Sequence, residues 1–168
     1  MSYKNEFKNC LDGLFESLCD VSDWMYENPE LGFEEFKTSK YLVDYIQKNS
    51  KSVNYPSHGL ETAFDITFGE EGPLTVICVE YDALPEIGHA CGHNIIATAS
   101  IGAGLGLKDI ASKLGIRVKL LGTPAEEGGG GKIILINEGA FEDASCSMMI
   151  HRGYEDVVNP TFTTIQQY

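Results

Sequence analysis

Gly88-His89-Ala90-Cys91-Gly92-His93-Asn94 places a thiol and two imidazoles within five residues, and its two glycines let the backbone turn tightly around them. Thiolate and neutral imidazole are the donor types that zinc prefers. The stretch follows a strand-like apolar run at residues 74–81 and leads into an uncharged apolar segment at 95–107. It therefore lies between the end of a strand and the start of a helix, where open α/β sheets build their ligand sites.

Working outward, residues 74–81 are almost continuously apolar, which predicts a central strand buried on both faces. Residues 94–114 read as helix, and Ala97, Ala99, Ser100, Gly102, Ala103, Gly104 and Gly106 leave it little bulk on one side for close approach to a sheet. Gly102-x-Gly104-x-Gly106 lacks the spacing of a dinucleotide fingerprint and follows no strand. Residues 116–121 form a second buried strand, the segment from 130 to 139 a helix with Ile133, Ile134 and Ile136 inward, and 145–150 a last strand. The glycines at 128–131 followed by Lys132 are not a phosphate loop, because Ile133 stands where Ser or Thr is required; a flexible site loop is the better reading.

Upstream, Phe7, Cys10, Leu11, Leu14, Phe15, Leu18, Val21, Trp24 and Met25 recur at three- and four-residue steps, so an N-terminal helix runs to Asn28-Pro29. A second spans about 34–48, with Phe36, Tyr41, Leu42, Tyr45 and Ile46 inward and Glu34, Glu35, Lys37, Lys40, Asp44 and Lys48 outward, both helices covering one face of the sheet. Residues 51–55 and 62–68 suggest a hairpin, with His58 on the surface of its turn. Strands alternating with helices predict an α/β sandwich with a mostly parallel sheet.

Composition narrows the partners. The 168 residues are 43% hydrophobic, enough for a core, and 12 Lys plus Arg against 25 Asp plus Glu leave a net charge of −13. No basic cluster interrupts the acidity, which argues against nucleic acid and anionic membranes and suits a small or cationic partner. Five scattered cysteines are not a disulfide framework and point to a reducing, cytoplasmic compartment. The first thirty residues lack a secretory signal pattern, and the thirteen residues 95–107 fall short of the ~20 that span a bilayer.

Three predicted strands run into polar groups: 74–81 into Asp82, 116–121 into Glu126-Glu127, and 145–150 into His151. In a parallel sheet these carboxyl ends lie side by side, so the groups can meet around a pair of ions that share one bridging ligand. Glu126 and Glu127 are neighbours whose side chains should diverge, one ligating metal while the other acts as general base. Two other readings of the Cys91 stretch stay open: a structural zinc site, which lacks a second knuckle, and a thiol nucleophile activated by His89 or His93.

At these residues a resemblance emerges. Glu80-Tyr81-Asp82-Ala83-Leu84-Pro85, Gly88 to Asn94, Gly122-Thr123-Pro124-Ala125-Glu126-Glu127-Gly128 and Asn28-Pro29-Glu30-Leu31-Gly32-Phe33-Glu34-Glu35 resemble the motifs of the dinuclear metallopeptidases that include aminoacylase, glutamate carboxypeptidase and auxin-conjugate amidohydrolases. The resemblance implies a zinc-exopeptidase-like three-layer α/β sandwich and two divalent ions, zinc or alternatively manganese. It implies Cys91 as bridging thiolate, His93, His151 and Glu127 as ligands, Glu126 as general base, and Asp82 orienting a ligand from behind. Asn94, where many relatives have Asp, resembles the cytosolic branch acting on β-alanyl-lysine and other dipeptides with a basic C-terminal residue; N-acyl amino acids are the wider substrate class.

The family pattern continues into a lid domain used for dimer formation and a returning segment with one more His ligand. Residues 1–168 therefore resemble the first part of a catalytic domain, truncated before the lid. The expectation is that a longer form is a homodimer and that this chain alone is inactive or a non-catalytic, metal-binding or regulatory fragment.

Overall fold

The computed structural model describes residues 2–153; Tyr168, about where the lid domain is expected to begin, lies outside them. The elements are α1 (Tyr3–Glu27), α2 (Phe36–Asn49), β1 (Asp65–Phe68), β2 (Leu74–Val79), α3 (His93–Leu107), α4 (Ala111–Leu114), β3 (Arg117–Gly122), α5 (Gly131–Asn137) and β4 (Ala144–Met148). The strands form one sheet in the order β1-β3-β2-β4. β2 lies parallel to β3 and to β4, whereas β1 runs antiparallel to β3. The sheet is thus mixed, and the carboxyl ends of β2, β3 and β4 share one edge.

Helices cover both faces. On one, Val21 and Met25 of α1, Leu42, Val43 and Ile46 of α2, and Ala97, Ile101 and Leu105 of α3 form a single core with Ile77, Val79, Val118 and Leu120 of the sheet. On the other, Leu135 of α5 and Ala140 pack with Leu74, Val76, Cys78 and Leu121. β2 is buried nearly throughout, as its apolar run predicts.

The small residues of α3 serve two neighbours. A Cβ on Gly104 would lie 2.5 Å from Leu120 Cγ on the sheet, while one on Gly102 or Gly106 would press on Leu18 or Phe7 of α1. So α1 packs chiefly on α3, in a seam too narrow for the whole predicted stripe, and Phe15 is left exposed.

Other expectations change for local reasons. The 51–55 strand reduces to one bridge between Asn54 and Asp65, and the predicted hairpin gives way to pairing of β1 with β3. His58 is half-buried, its Nε2 3.2 Å from Asp65 Oδ1. Phe36 is exposed and Glu35, expected outward, is fully buried, because it precedes the helix and is drawn in by hydrogen bonds. Ile133 and Ile136 are exposed, since the seven-residue α5 turns a single face, carrying Leu135, to the sheet.

Candidate metal site

β2 carries the first acids to the shared edge. Glu80 and Asp82, two residues apart in extended chain, lie on one side of it, and both are buried. The chain then folds back on itself: Leu84 N–H donates to Gly88 O (2.9 Å), Gly88 N–H returns to Leu84 O (3.1 Å), and Ala83 N–H donates to Glu30 O (2.8 Å). Gly92, at φ 77°, makes the left-handed turn into α3 and starts the helix at His93. Arg152 lies over this turn; its Cδ stands 2.6 Å from where a Gly92 Cβ would be, and its guanidinium donates to Ala90 O.

His93 is buried at the centre. Its Nδ1 faces Asp82 O at 2.8 Å and Asp82 Oδ1 at 3.0 Å, and both are acceptors, so Nδ1 carries the proton and Nε2 presents its lone pair. Nε2 makes no hydrogen bond. Around it stand Glu80 Oε2 at 3.5 Å, Glu126 Oε2 at 3.8 Å and Glu127 Oε1 at 3.8 Å. Asp82 Oδ2 also accepts the Glu127 N–H at 2.8 Å, so one carboxylate aligns both the imidazole and the acidic turn.

Glu126 and Glu127 do not diverge. The strand ends at Gly122, and in the turn that follows period-two alternation no longer holds, so both carboxylates reach the same imidazole. The turn is secured from beneath: Glu35 accepts the Ala125 N–H at 2.8 Å and the Thr62 hydroxyl at 3.0 Å. Ala125 itself sits at φ 55°, the left-handed region.

Electrostatics follow from burial and crowding. Burial would raise the Asp82 pKa, but hydrogen bonds from His93 and the Glu127 amide bring it below its ordinary value. Burial would lower that of His93, yet Asp82 and then Glu80 raise it. Glu126 is pushed up by burial and by the charge of Glu80. Burial, then the Glu127 carboxylate, pushes the half-buried Cys91 thiol up to about 11.

Two groups of side chains have ligand atoms within 4.8 Å of one another: Glu80, His93 and His151, and His93, Glu126 and Glu127. Cys91, expected as the bridging thiolate, belongs to neither group, though its thiol interacts with the Glu127 carboxylate. A buried imidazole nitrogen without a partner, facing several carboxylate oxygens, fits a divalent cation. His89 is buried, neither of its nitrogens hydrogen-bonds, and it belongs to neither group. Asn94 faces away, donating to Ser22 Oγ at 3.0 Å and so tying α3 to α1.

Sequence reasoning missed Glu80, Lys132 and Glu35. Lys132, set aside with its glycine loop, ion-pairs with Glu80. A signal for Glu80 was present: an acid two residues before Asp82 at the end of an otherwise apolar strand. All five cysteines are free, and among the described residues no helix is long and apolar enough to cross a membrane.

No family model matches the chain. Xaa-Arg dipeptidase of Mus musculus is 38% identical over 160 residues, 87% of this chain and 37% of its own length. A p-aminobenzoyl-glutamate hydrolase component of Escherichia coli is 30% identical over 151 residues, covering 79% of this chain and 31% of its own. IAA-amino acid hydrolase ILR1-like 4 of Arabidopsis thaliana is 33% identical over 153 residues, 79% of this chain and 34% of its own. The chain thus spans under two-fifths of these relatives. Among solved structures, a dinuclear metal-binding peptidase of the M20 family from Bacillus subtilis superposes with a TM-score of 0.71 at 24% identity, covering 81% of this chain and 42% of that one.

Proposed function

We propose that this chain is a member of the M20 family of metal-dependent peptidases and amidohydrolases, whose fold it shares, and that its site serves hydrolysis of an amide bond in a dipeptide or N-acyl amino acid, as the names of relatives 30–38% identical to it suggest. The observation that carries this reading is the unpartnered His93 Nε2, buried and facing the Glu126 and Glu127 carboxylates at 3.8 Å each. Cys91, His93, Glu127 and His151 would hold two divalent ions, zinc by the softness of the thiolate, with manganese the alternative. When bound, such ions polarise the scissile carbonyl and make water a stronger nucleophile near neutral pH.

The chain's own residues do the rest. Glu126, its proton affinity raised by burial, accepts a proton from the attacking water and returns it to the leaving amine. Asp82 fixes His93 in the tautomer with Nε2 free, and through the Glu127 amide holds both halves of the site in register. Glu35 keeps the turn bearing Glu126 from relaxing.

For substrate, we propose dipeptides with a basic C-terminal residue, supported by the Xaa-Arg dipeptidases among the relatives and by the net charge of −13. Asn94 does not read that residue directly, since its amide is committed to Ser22. Turnover by the isolated chain is expected to be undetectable, because His151 and the strand leading to it are exposed and water is not excluded from that side.

The test is metal binding by the 168-residue chain, dialysed against zinc or manganese and read by mass spectrometry. Bound ions lost in Cys91→Ser and His93→Ala are expected; a chain that binds none would overturn the hydrolase reading in favour of a non-catalytic fragment. Chelator-sensitive dipeptide hydrolysis by the chain would instead overturn only its expected inactivity.

A further inference from the structure

Glu80 is fully buried at the carboxyl end of β2, and Lys132 of α5 donates to its Oε1. Its other oxygen, Oε2, makes no hydrogen bond and points at the equally unpartnered His93 Nε2, 3.5 Å away. Since the Nδ1 proton is committed to Asp82, a neutral His93 turns a lone pair toward a carboxylate oxygen. Two electron-rich atoms facing each other away from water repel unless a proton on the imidazole or a cation lies between them. Lys132 does not fill that role, being spent on the opposite oxygen, and the Arg152 guanidinium is turned to Ala90 O.

The surroundings sharpen the imbalance. Glu80, Asp82, Glu126 and Glu127 gather round one imidazole, and among the described residues Lys132 is the ammonium paired with one of them. The ligand atoms of Glu80, His93 and His151 all lie within 4.8 Å of one another, a spread that one cation can draw together. Because the Nε2 lone pair serves a single ion, His93 cannot complete both this group and the one with Glu126 and Glu127.

Resting on the metal-dependent reading above, we propose that Glu80 is itself a metal ligand through Oε2, sharing an ion with His93 and His151, while Lys132 grips Oε1 and fixes the carboxylate's orientation. Cys91 and Glu127 then serve the second position, and Glu126 stays free to act as base. The alternative role for Glu80 is a buried ion pair with Lys132 that only supports the fold.

The two roles separate in a comparison of the parent chain with Glu80→Gln and Lys132→Met, using zinc equilibrium dialysis and the cobalt(II) absorption spectrum, with circular dichroism as the folding check. A ligand role predicts that Glu80→Gln loses one ion or weakens it more than about 100-fold, beyond the ~10–100-fold of an outer-sphere change, with an altered cobalt band. Lys132→Met then keeps the parent stoichiometry. A smaller loss in Glu80→Gln, or equal losses in both variants, overturns the assignment and leaves the hydrolase reading intact. A parent chain that binds no metal overturns both together. Should Glu80→Gln fail to fold, Glu80→Asp decides: a retracted ligand weakens the metal, whereas a mere ion-pair partner leaves metal affinity unchanged and overturns the proposal.

Discussion

Replacing Glu35 with alanine should destabilise the fold by about 2–4 kcal/mol and loosen the turn that carries Glu126 and Glu127. The side chain is fully buried, and its two oxygens accept the Ala125 amide at 2.8 Å and the Thr62 hydroxyl at 3.0 Å. Truncation leaves the buried Ala125 N–H without a partner, about 1–3 kcal/mol, and removes one methylene worth about 0.8 kcal/mol. Ala125 is also held at φ 55°, which side chains resist, so the turn has a conformation to relax towards. Glu35→Gln preserves shape and an acceptor for Ala125 and should stay within about 1 kcal/mol of the parent. The pH dependence has a definite sign. Burial raises the Glu35 pKa above 4.5 despite its hydrogen bonds, so its contribution is full below the unfolded value and is lost as pH rises through the folded one. The Gln variant lacks that loss and should gain on the parent as pH rises from about 4 to neutrality. Urea denaturation followed by circular dichroism across that range reads both effects. An alanine variant within about 1 kcal/mol of the parent, or a Gln variant as weak as the alanine one, would refute the reasoning.

Other perturbations test the site's chemistry. In an active protein carrying this segment, Glu126→Gln should keep its metal yet lower kcat by about 10²–10⁴-fold; near-normal turnover in a metal-replete sample removes Glu126 as the base. Because the Cys91 thiol holds its proton up to about 11, zinc must displace it, so affinity measured by chelator competition should rise about tenfold per pH unit between about 6 and 8; Cys91→Ser should bind more weakly and lose that slope, and a parent whose affinity is flat with pH speaks against a thiolate ligand. Asp82, whose pKa is lowered, stabilises the fold above its unfolded value of 3.8 and loses that contribution as pH falls through the folded value; Asp82→Asn should flatten the acid limb of the stability profile. A dipeptide panel varying only the C-terminal residue should favour Lys and Arg, and preference for Glu or Asp would end the basic-substrate proposal.

The sequence by itself determined much of the frame. The near-continuous apolar run of β2 made it a central strand, the small residues of α3 announced close packing, and Asp82, Glu126-Glu127 and His151 each stood just beyond a strand. Those signals are local: they depend on hydrophobic period and on residue type at element ends. What only the tertiary structure decided depends on groups far apart in the chain. Lys132 meets Glu80 because α5 packs on β2, and Glu35 turns inward because Ala125 and Thr62 offer it hydrogen bonds that no helical period encodes. The glycines of α3 receive α1 as well as the sheet, which leaves Phe15 outside. The two adjacent glutamates converge because their turn has left strand geometry. Asn94, prominent in the motif, turns away to Ser22, since the helix start that aims His93 at the sheet edge rotates the next residue by about 100° toward α1.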